Sequence, residues 1–189
     1  MPAAESLRRA AGGFRDVVAE VGVDQWNLPT PCEGWTVRQL VGHVAAGSQM
    51  AATLADGGSR LDAIAVLGVD HLGDRPVDAI DAALERQQAV FERPGIETQV
   101  FHHPAGDIAG AQVIQFRVTD LLVHRWDVAE AIGVDTALDP VLVQEVWVGI
   151  APMIPMMAAS GVFGNGPSGN VADDAALELR LLDALGRRP

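Results

Sequence analysis

An aspartate and a histidine stand four positions apart in an otherwise apolar stretch, at Asp120 and His124. Because an α-helix turns once every ~3.6 residues, this spacing places both side chains on one helix face. A carboxylate oxygen and a neutral imidazole nitrogen both suit zinc and similar divalent ions. Two donors on one turn hold an ion weakly, so the pair predicts half of a metal site that needs a donor from another segment.

His43 is the best candidate for the third donor, because it lies in the inner half of a second predicted helix. Three protein ligands leave a coordination position open, which is typical of a reactive metal site rather than a structural one. The residues alone also allow a plainer interpretation, in which Asp120 and His124 form a hydrogen-bonded helix pair and His43 is a core histidine. The sequence does not prove that the two helices touch.

Other polar and aromatic residues near these positions have less specific expectations. Arg117 lies on the same stripe as Asp120, and a surface salt bridge is favoured over a substrate-binding role. A structural role is favoured for Cys32 over metal binding or redox chemistry. Asp127 is expected either to orient a histidine or to cap a backbone segment, and Trp35 is expected to be a core anchor, as is Trp126.

The elements that must position these residues are predicted to be helical. Apolar residues recur at spacings of three and four, and capping residues, prolines and glycines mark the helix ends. Residues 57–75 are predicted to be a loop with a possible short helical piece, and residues 96–108 carry a weak strand signal. The predicted helices cover 4–22, 36–56, 76–93 and 110–132, with a fifth from 139 and a short one near 175–185. We expect one all-α domain over residues 1–189, a four-helix bundle with a short extra helix and a loop-rich C-terminal tail.

The charge and composition of the chain limit the kinds of molecule that it is expected to bind. The formal net charge is −12, from 25 acidic residues against 13 arginines and no lysine, so the chain should repel nucleic acid and anionic membrane surfaces. A single cysteine and the absence of a signal-like start predict a cytoplasmic protein. Residues 146–164 carry no charge, but prolines and glycines interrupt them. We therefore expect a buried helix and loop there, part of it a possible homodimer interface, rather than a membrane span.

Two runs carry a specific family resemblance: PTPCEGWTVRQLVGHV over residues 29–44 and DLLVHRWD over residues 120–127. Together they resemble the mycothiol-dependent maleylpyruvate isomerase N-terminal domain group of the DinB-like superfamily, and the tail resembles an actinobacterial branch of it. The resemblance implies a DinB-like four-helix bundle that binds a divalent metal, most commonly zinc. It assigns the ligands to His43, Asp120 and His124. The isomerase itself has a glutamate as its acidic ligand, and the shorter aspartate is expected to bring the ion closer to the helix backbone. A set of two histidines and one aspartate also accepts nickel, iron or manganese.

The same resemblance implies a function. The chain is expected to be a metal-dependent thiol S-transferase or an isomerase-like enzyme, with mycothiol or a similar thiol as co-substrate and a small electrophile as its second substrate. The alternative is a non-catalytic module in which the same three residues hold an ion or ligand. A third possibility is a purely structural bundle, since one fold can host many activities.

Overall fold

Four long helices dominate the computed structural model, which describes residues 1–160 and 166–189. They are α1 (Ala3–Ala19), α2 (Val37–Ala55), α4 (Pro76–Phe91) and α5 (Gly110–Ile132). Four shorter helices complete the described part of the chain: α3 (Arg60–Leu67), α6 (Pro140–Ile150), α7 (Ile154–Ser160) and α8 (Leu177–Ala184). Short 3₁₀ turns cover Ile96–Thr98 and Ala151–Met153.

The four long helices pack as a bundle around an apolar core. Helix α1 packs against α5 and α4, and α2 packs against the same two helices from the other side. Each helix turns an apolar face inward, with fully buried side chains such as Phe14, Leu40, Leu84 and Leu121. Burial of such faces, rather than intrinsic helix propensity, supplies most of the stability of helices of this length. The prediction of an all-α four-helix bundle is confirmed.

Helix α2 begins at a capping box, as the sequence predicts. The backbone N–H of Thr36 donates to Gln39 Oε1 at 2.9 Å, and the backbone N–H of Gln39 donates to Thr36 Oγ1 at 3.3 Å. Both groups would otherwise be unpaired donors of the first turn. The cap fixes the residue at which α2 starts.

The segment with the weak strand signal forms a two-stranded antiparallel hairpin, β1 (Val100–His103) and β2 (Gly106–Ala109). It leads directly into α5 at Gly110, which passes very close to the backbone carbonyl of Ile96. The possible short helical piece within residues 57–75 is helix α3, which packs on α2. These additions leave the bundle as the main architecture.

The uncharged segment 146–164 is buried only at Val146 and Ile150, in the last turns of helix α6, and its described side chains after Ile150 are half-buried or exposed. The expectation of a buried helix is therefore wrong for α7. Helix α6 starts after the cap residue Asp139 and buries Leu142, Val146 and Ile150, and α7 follows the 3₁₀ turn. Residues 161–164 of the predicted loop lie outside the described residues. Across residues 1–160 and 166–189, every helix is too short or too polar to span a bilayer.

Candidate metal centre

The three predicted ligands converge between α2 and α5. Asp120 Oδ1 lies 3.2 Å from Nε2 of His43 and 3.3 Å from Nε2 of His124. One ligand atom from each residue lies within 4.8 Å of the other two, and the two imidazole rings meet edge to face with centroids 5.2 Å apart. The packing of α2 on α5 thus supplies the contact that sequence spacing leaves open.

The convergence point opens toward solvent on one side. The side chain of His43 is 39% exposed, whereas that of His124 is 8% exposed and that of Asp120 is 14% exposed. The indole of Trp35 lies over this opening, with its centroid 4.9 Å from the His43 ring and 6.4 Å from the His124 ring. The expectation that Trp35 is a core anchor is therefore wrong, because it forms a partly exposed wall of the site. Trp126 is buried in the core as expected.

Arg117 is buried beside the site and holds the other oxygen of Asp120. Its Nη1 donates to Asp120 Oδ2 at 2.7 Å. Its other nitrogens are also paired, because Nε donates to Gln87 Oε1 at 2.8 Å and Nη2 donates to the carbonyl of Val44 and to Ser48 Oγ. The expected surface salt bridge is wrong, because the stripe that carries Arg117 faces α2 rather than solvent. A buried charge requires such partners. Asp120 is left with Oδ1 turned toward the two histidines.

Charge coupling sets the protonation of the site. Burial by itself raises the pKa of the Asp120 carboxyl, but the positive charges of Arg117 and His124 outweigh burial and hold this pKa well below its usual value. Burial alone lowers the pKa of His124, but the charge of Asp120 and hydrogen bonds to Asp120 and Asp127 raise it well above its usual value. A proton on His124 Nε2 thus faces an ionised carboxylate, and a cation at this position competes with that proton.

Asp127 holds the other nitrogen of the His124 ring. His124 Nδ1 donates to Asp127 Oδ2 at 2.8 Å, and Asp127 is fully buried. Of the two roles expected for Asp127, orienting a histidine is the one observed. Cys32 Sγ lies 3.3 Å from Asp127 Oδ2 and 3.9 Å from His124 Nδ1, so this cysteine packs behind the imidazole.

One residue of the site has no signal in the sequence pattern. Arg187 follows helix α8 and pairs with Asp127, which is 60 positions away in the chain. Neither spacing nor a local motif links the two residues. For Arg117, by contrast, the separation of three from Asp120 is a usable signal of an ion pair on one helix face.

Known proteins match most of this chain. The mycothiol maleylpyruvate isomerase N-terminal domain family matches residues 7–129, a range that contains His43, Asp120 and His124. Two Mycobacterium tuberculosis proteins, one from each of two strains and both described as uncharacterized, are 34% identical over 142 residues. That alignment covers 73% of this chain and 71% of each relative.

A solved structure matches the fold. The crystal structure of the mycothiol-dependent maleylpyruvate isomerase superposes with a TM-score of 0.61 and 16% sequence identity, over 79% of this chain and 70% of that chain. A histidine-to-alanine mutant of that isomerase gives a TM-score of 0.62 with 15% identity over the same shares. At this identity the match shows the architecture, which is the DinB-like bundle expected from the two sequence runs.

Proposed function

The chain belongs to the mycothiol maleylpyruvate isomerase N-terminal domain family, and from this premise we propose that it is a metal-dependent enzyme that activates a small thiol. The observation that carries the proposal is the convergence of ligand atoms from His43, Asp120 and His124 within 4.8 Å of one another. The second substrate is a small electrophile that accepts the thiol or is isomerised through it.

The donor set fits a divalent ion. Two imidazole nitrogens and one carboxylate oxygen are ligand types that zinc prefers, and three protein ligands are the usual number in reactive zinc sites. Nickel, iron and manganese accept the same ligands. When bound, such an ion lowers the pKa of a coordinated thiol, so that a thiolate nucleophile is available near neutral pH.

The residues around the ligands prepare them for this role. Arg117 engages Asp120 Oδ2 and leaves Oδ1 free to face the site. Asp127 accepts from His124 Nδ1, so the lone pair of Nε2 is the one available to a cation. Because both side chains are already held in place, little conformational freedom is lost when the site is used.

Access to the site is from the side of His43 and Trp35. The exposed part of the His43 ring marks where a small molecule can approach, and the indole of Trp35 gives that opening an apolar wall. An apolar wall limits water around a nucleophile and offers contact area to the carbon skeleton of a substrate. This arrangement supports a role in small-molecule chemistry.

Metal content tests the first half of the proposal. We expect elemental analysis to find about one ion per chain in wild-type protein offered zinc, and little in His43→Ala or Asp120→Ala. His102→Ala is the matched control, because that histidine is exposed on the hairpin and pairs with Asp107. Absence of specific binding of zinc, nickel, iron and manganese in wild-type protein would refute the metal site.

Thiol binding tests the second half. Cobalt-loaded protein should gain a sulfur-to-cobalt charge-transfer band when mycothiol is added, whereas the S-methylated thiol should produce none. An unchanged spectrum with every thiol tried would favour the non-catalytic module, in which the same three residues only hold an ion. A band followed by protein-dependent loss of the electrophile, with thiol consumed in a transfer reaction or regenerated in an isomerisation, would support the enzyme.

A further inference from the structure

Arg187 makes a two-point contact with the carboxylate that holds His124. Its Nε donates to Asp127 Oδ1 at 3.0 Å and its Nη2 donates to Asp127 Oδ2 at 2.6 Å. The side chain of Arg187 is buried, and the residue lies outside the range 7–129 that the family matches. We infer that Arg187 is a positioning residue, which acts through Asp127 to fix the orientation of the His124 ring; this inference rests on the proposed function.

The geometry explains how the contact between Arg187 and Asp127 affects His124, the proposed metal ligand. A guanidinium that bonds both oxygens fixes the plane of the Asp127 carboxylate as well as its position. Asp127 Oδ2 then points at His124 Nδ1 from 2.8 Å. With Nδ1 engaged, the opposite nitrogen Nε2 is directed at Asp120 Oδ1, 3.3 Å away. A carboxylate behind a histidine of this kind typically fixes both the ring orientation and the nitrogen that serves as ligand.

The turn that carries Arg187 is held in place by hydrogen bonds and by a buried leucine. Helix α8 ends in a turn in which the backbone N–H of Arg187 donates to the carbonyl of Leu182 at 2.9 Å. Gly186 adopts a positive φ of 81° there, which glycine tolerates better than other residues. Arg187 Nη1 also donates to the carbonyl of Leu185 at 2.7 Å, and the Leu185 side chain is fully buried. The conformation of this turn therefore fixes the direction of the Arg187 guanidinium.

The same guanidinium also contacts the loop before α2. Arg187 Nη2 lies 3.1 Å from Cys32 Sγ, which is itself 3.3 Å from Asp127 Oδ2. That loop carries Trp35, the wall of the site opening. Arg187 thus joins the turn after α8, helix α5 and the Trp35 loop, three elements that must keep their places for the site to keep its shape.

Arg187→Ala tests this role, with Arg187→Lys as a second variant in case alanine destabilises the fold. Lysine keeps the charge but cannot bond both carboxylate oxygens in one plane. Arg188→Ala is the matched control, because the neighbouring arginine contacts Asp183 rather than Asp127. Zinc affinity is measured by competition with a chelator. We expect it to fall roughly 10- to 100-fold in Arg187→Ala and to fall less in Arg187→Lys. The affinity of Arg188→Ala should equal that of wild type.

A second readout separates this inference from the proposed function. In metal-free protein, the His124 Nδ1 proton should give a downfield NMR resonance that is lost in Arg187→Ala and kept in Arg188→Ala. Loss of that resonance in a protein whose wild type binds none of zinc, nickel, iron and manganese would support the positioning role and refute the metal site. Equal zinc affinity and an unchanged resonance in Arg187→Ala would overturn the positioning role while leaving the proposed function intact.

Discussion

Gly47 lies where the buried guanidinium of Arg117 crosses helix α2, so Gly47→Ala should displace Arg117 and weaken its hold on Asp120. A Cβ atom at position 47 would stand 2.2 Å from Arg117 Nη1 and 2.9 Å from its Cζ. Those separations are far below van der Waals contact, so the guanidinium must move. It is held there by hydrogen bonds to Asp120, Gln87, Ser48 and the carbonyl of Val44.

The magnitude follows from what the displaced group loses. Hydrogen bonds to charged groups contribute about 1.5–3 kcal/mol each, and loss of the contact with Asp120 plus a weakening of the others should cost about 2–4 kcal/mol. Replacing glycine by alanine inside a helix recovers about 1 kcal/mol. The net loss in free energy of unfolding should be about 1–3 kcal/mol, a fall in Tm of about 2–4 °C per kcal/mol for a chain of this size.

Gly12→Ala is the matched control, because Gly12 lies within α1 and has no atom within 4 Å of where its Cβ would be. It should raise the free energy of unfolding by about 0.5–1 kcal/mol. Urea unfolding followed by circular dichroism measures both variants against wild type. If Gly47→Ala were as stable as Gly12→Ala, the account of Arg117 as a buried, fully paired cation would be refuted.

Three further predictions concern the proton at the site and the ends of two elements. Because the pKa of His124 is raised, its proton must leave when an ion binds, so zinc affinity should fall as the pH falls below that pKa. Calorimetry of zinc binding at pH 7, in buffers of different ionisation enthalpy, should show release of about one proton per ion. A binding heat that is independent of the buffer would contradict this. Thr36→Ala removes the side-chain half of the capping box and should cost about 1 kcal/mol in urea unfolding, whereas Thr36→Ser should cost much less. Gly110→Ala places a Cβ 2.0 Å from the carbonyl oxygen of Ile96, a backbone atom that cannot swing away, and should cost about 2–3 kcal/mol; a wild-type unfolding midpoint would show that the backbone can adjust there.

The helices were predictable because their signals are local. The capping box at Thr36, the prolines at positions 76 and 140 and the glycine at 133 mark helix ends within a few residues of the observed ones. The spacing of Asp120 and His124 likewise predicts a shared helix face, and the structure has both on α5. Helix α1 ends at Ala19, earlier than predicted, and residues 22–25 form a turn in which Gln25 bonds Gly22.

The contacts between distant segments were not predictable in the same way. That His43 meets Asp120 depends on how α2 rotates against α5, which no spacing within either helix encodes. The burial of Arg117 depends on the absence of a side chain at Gly47, a space that belongs to the neighbouring helix. Arg187 depends on the path of the chain after α8. Residue statistics favour the surface for arginine, and a buried network can reverse that preference.

The position of Trp35 against two imidazoles gives the site an intrinsic optical probe. The chain has no tyrosine and four tryptophans, so its near-ultraviolet emission comes from indole alone. One of those indoles lies 4.9 Å from the His43 ring and 6.4 Å from the His124 ring. Excited indole is quenched by protonated imidazole and by open-shell ions at such range. The part of the emission that changes with pH or with binding of an open-shell ion, and that is lost in Trp35→Phe, should therefore report the protonation and occupancy of the site without any label.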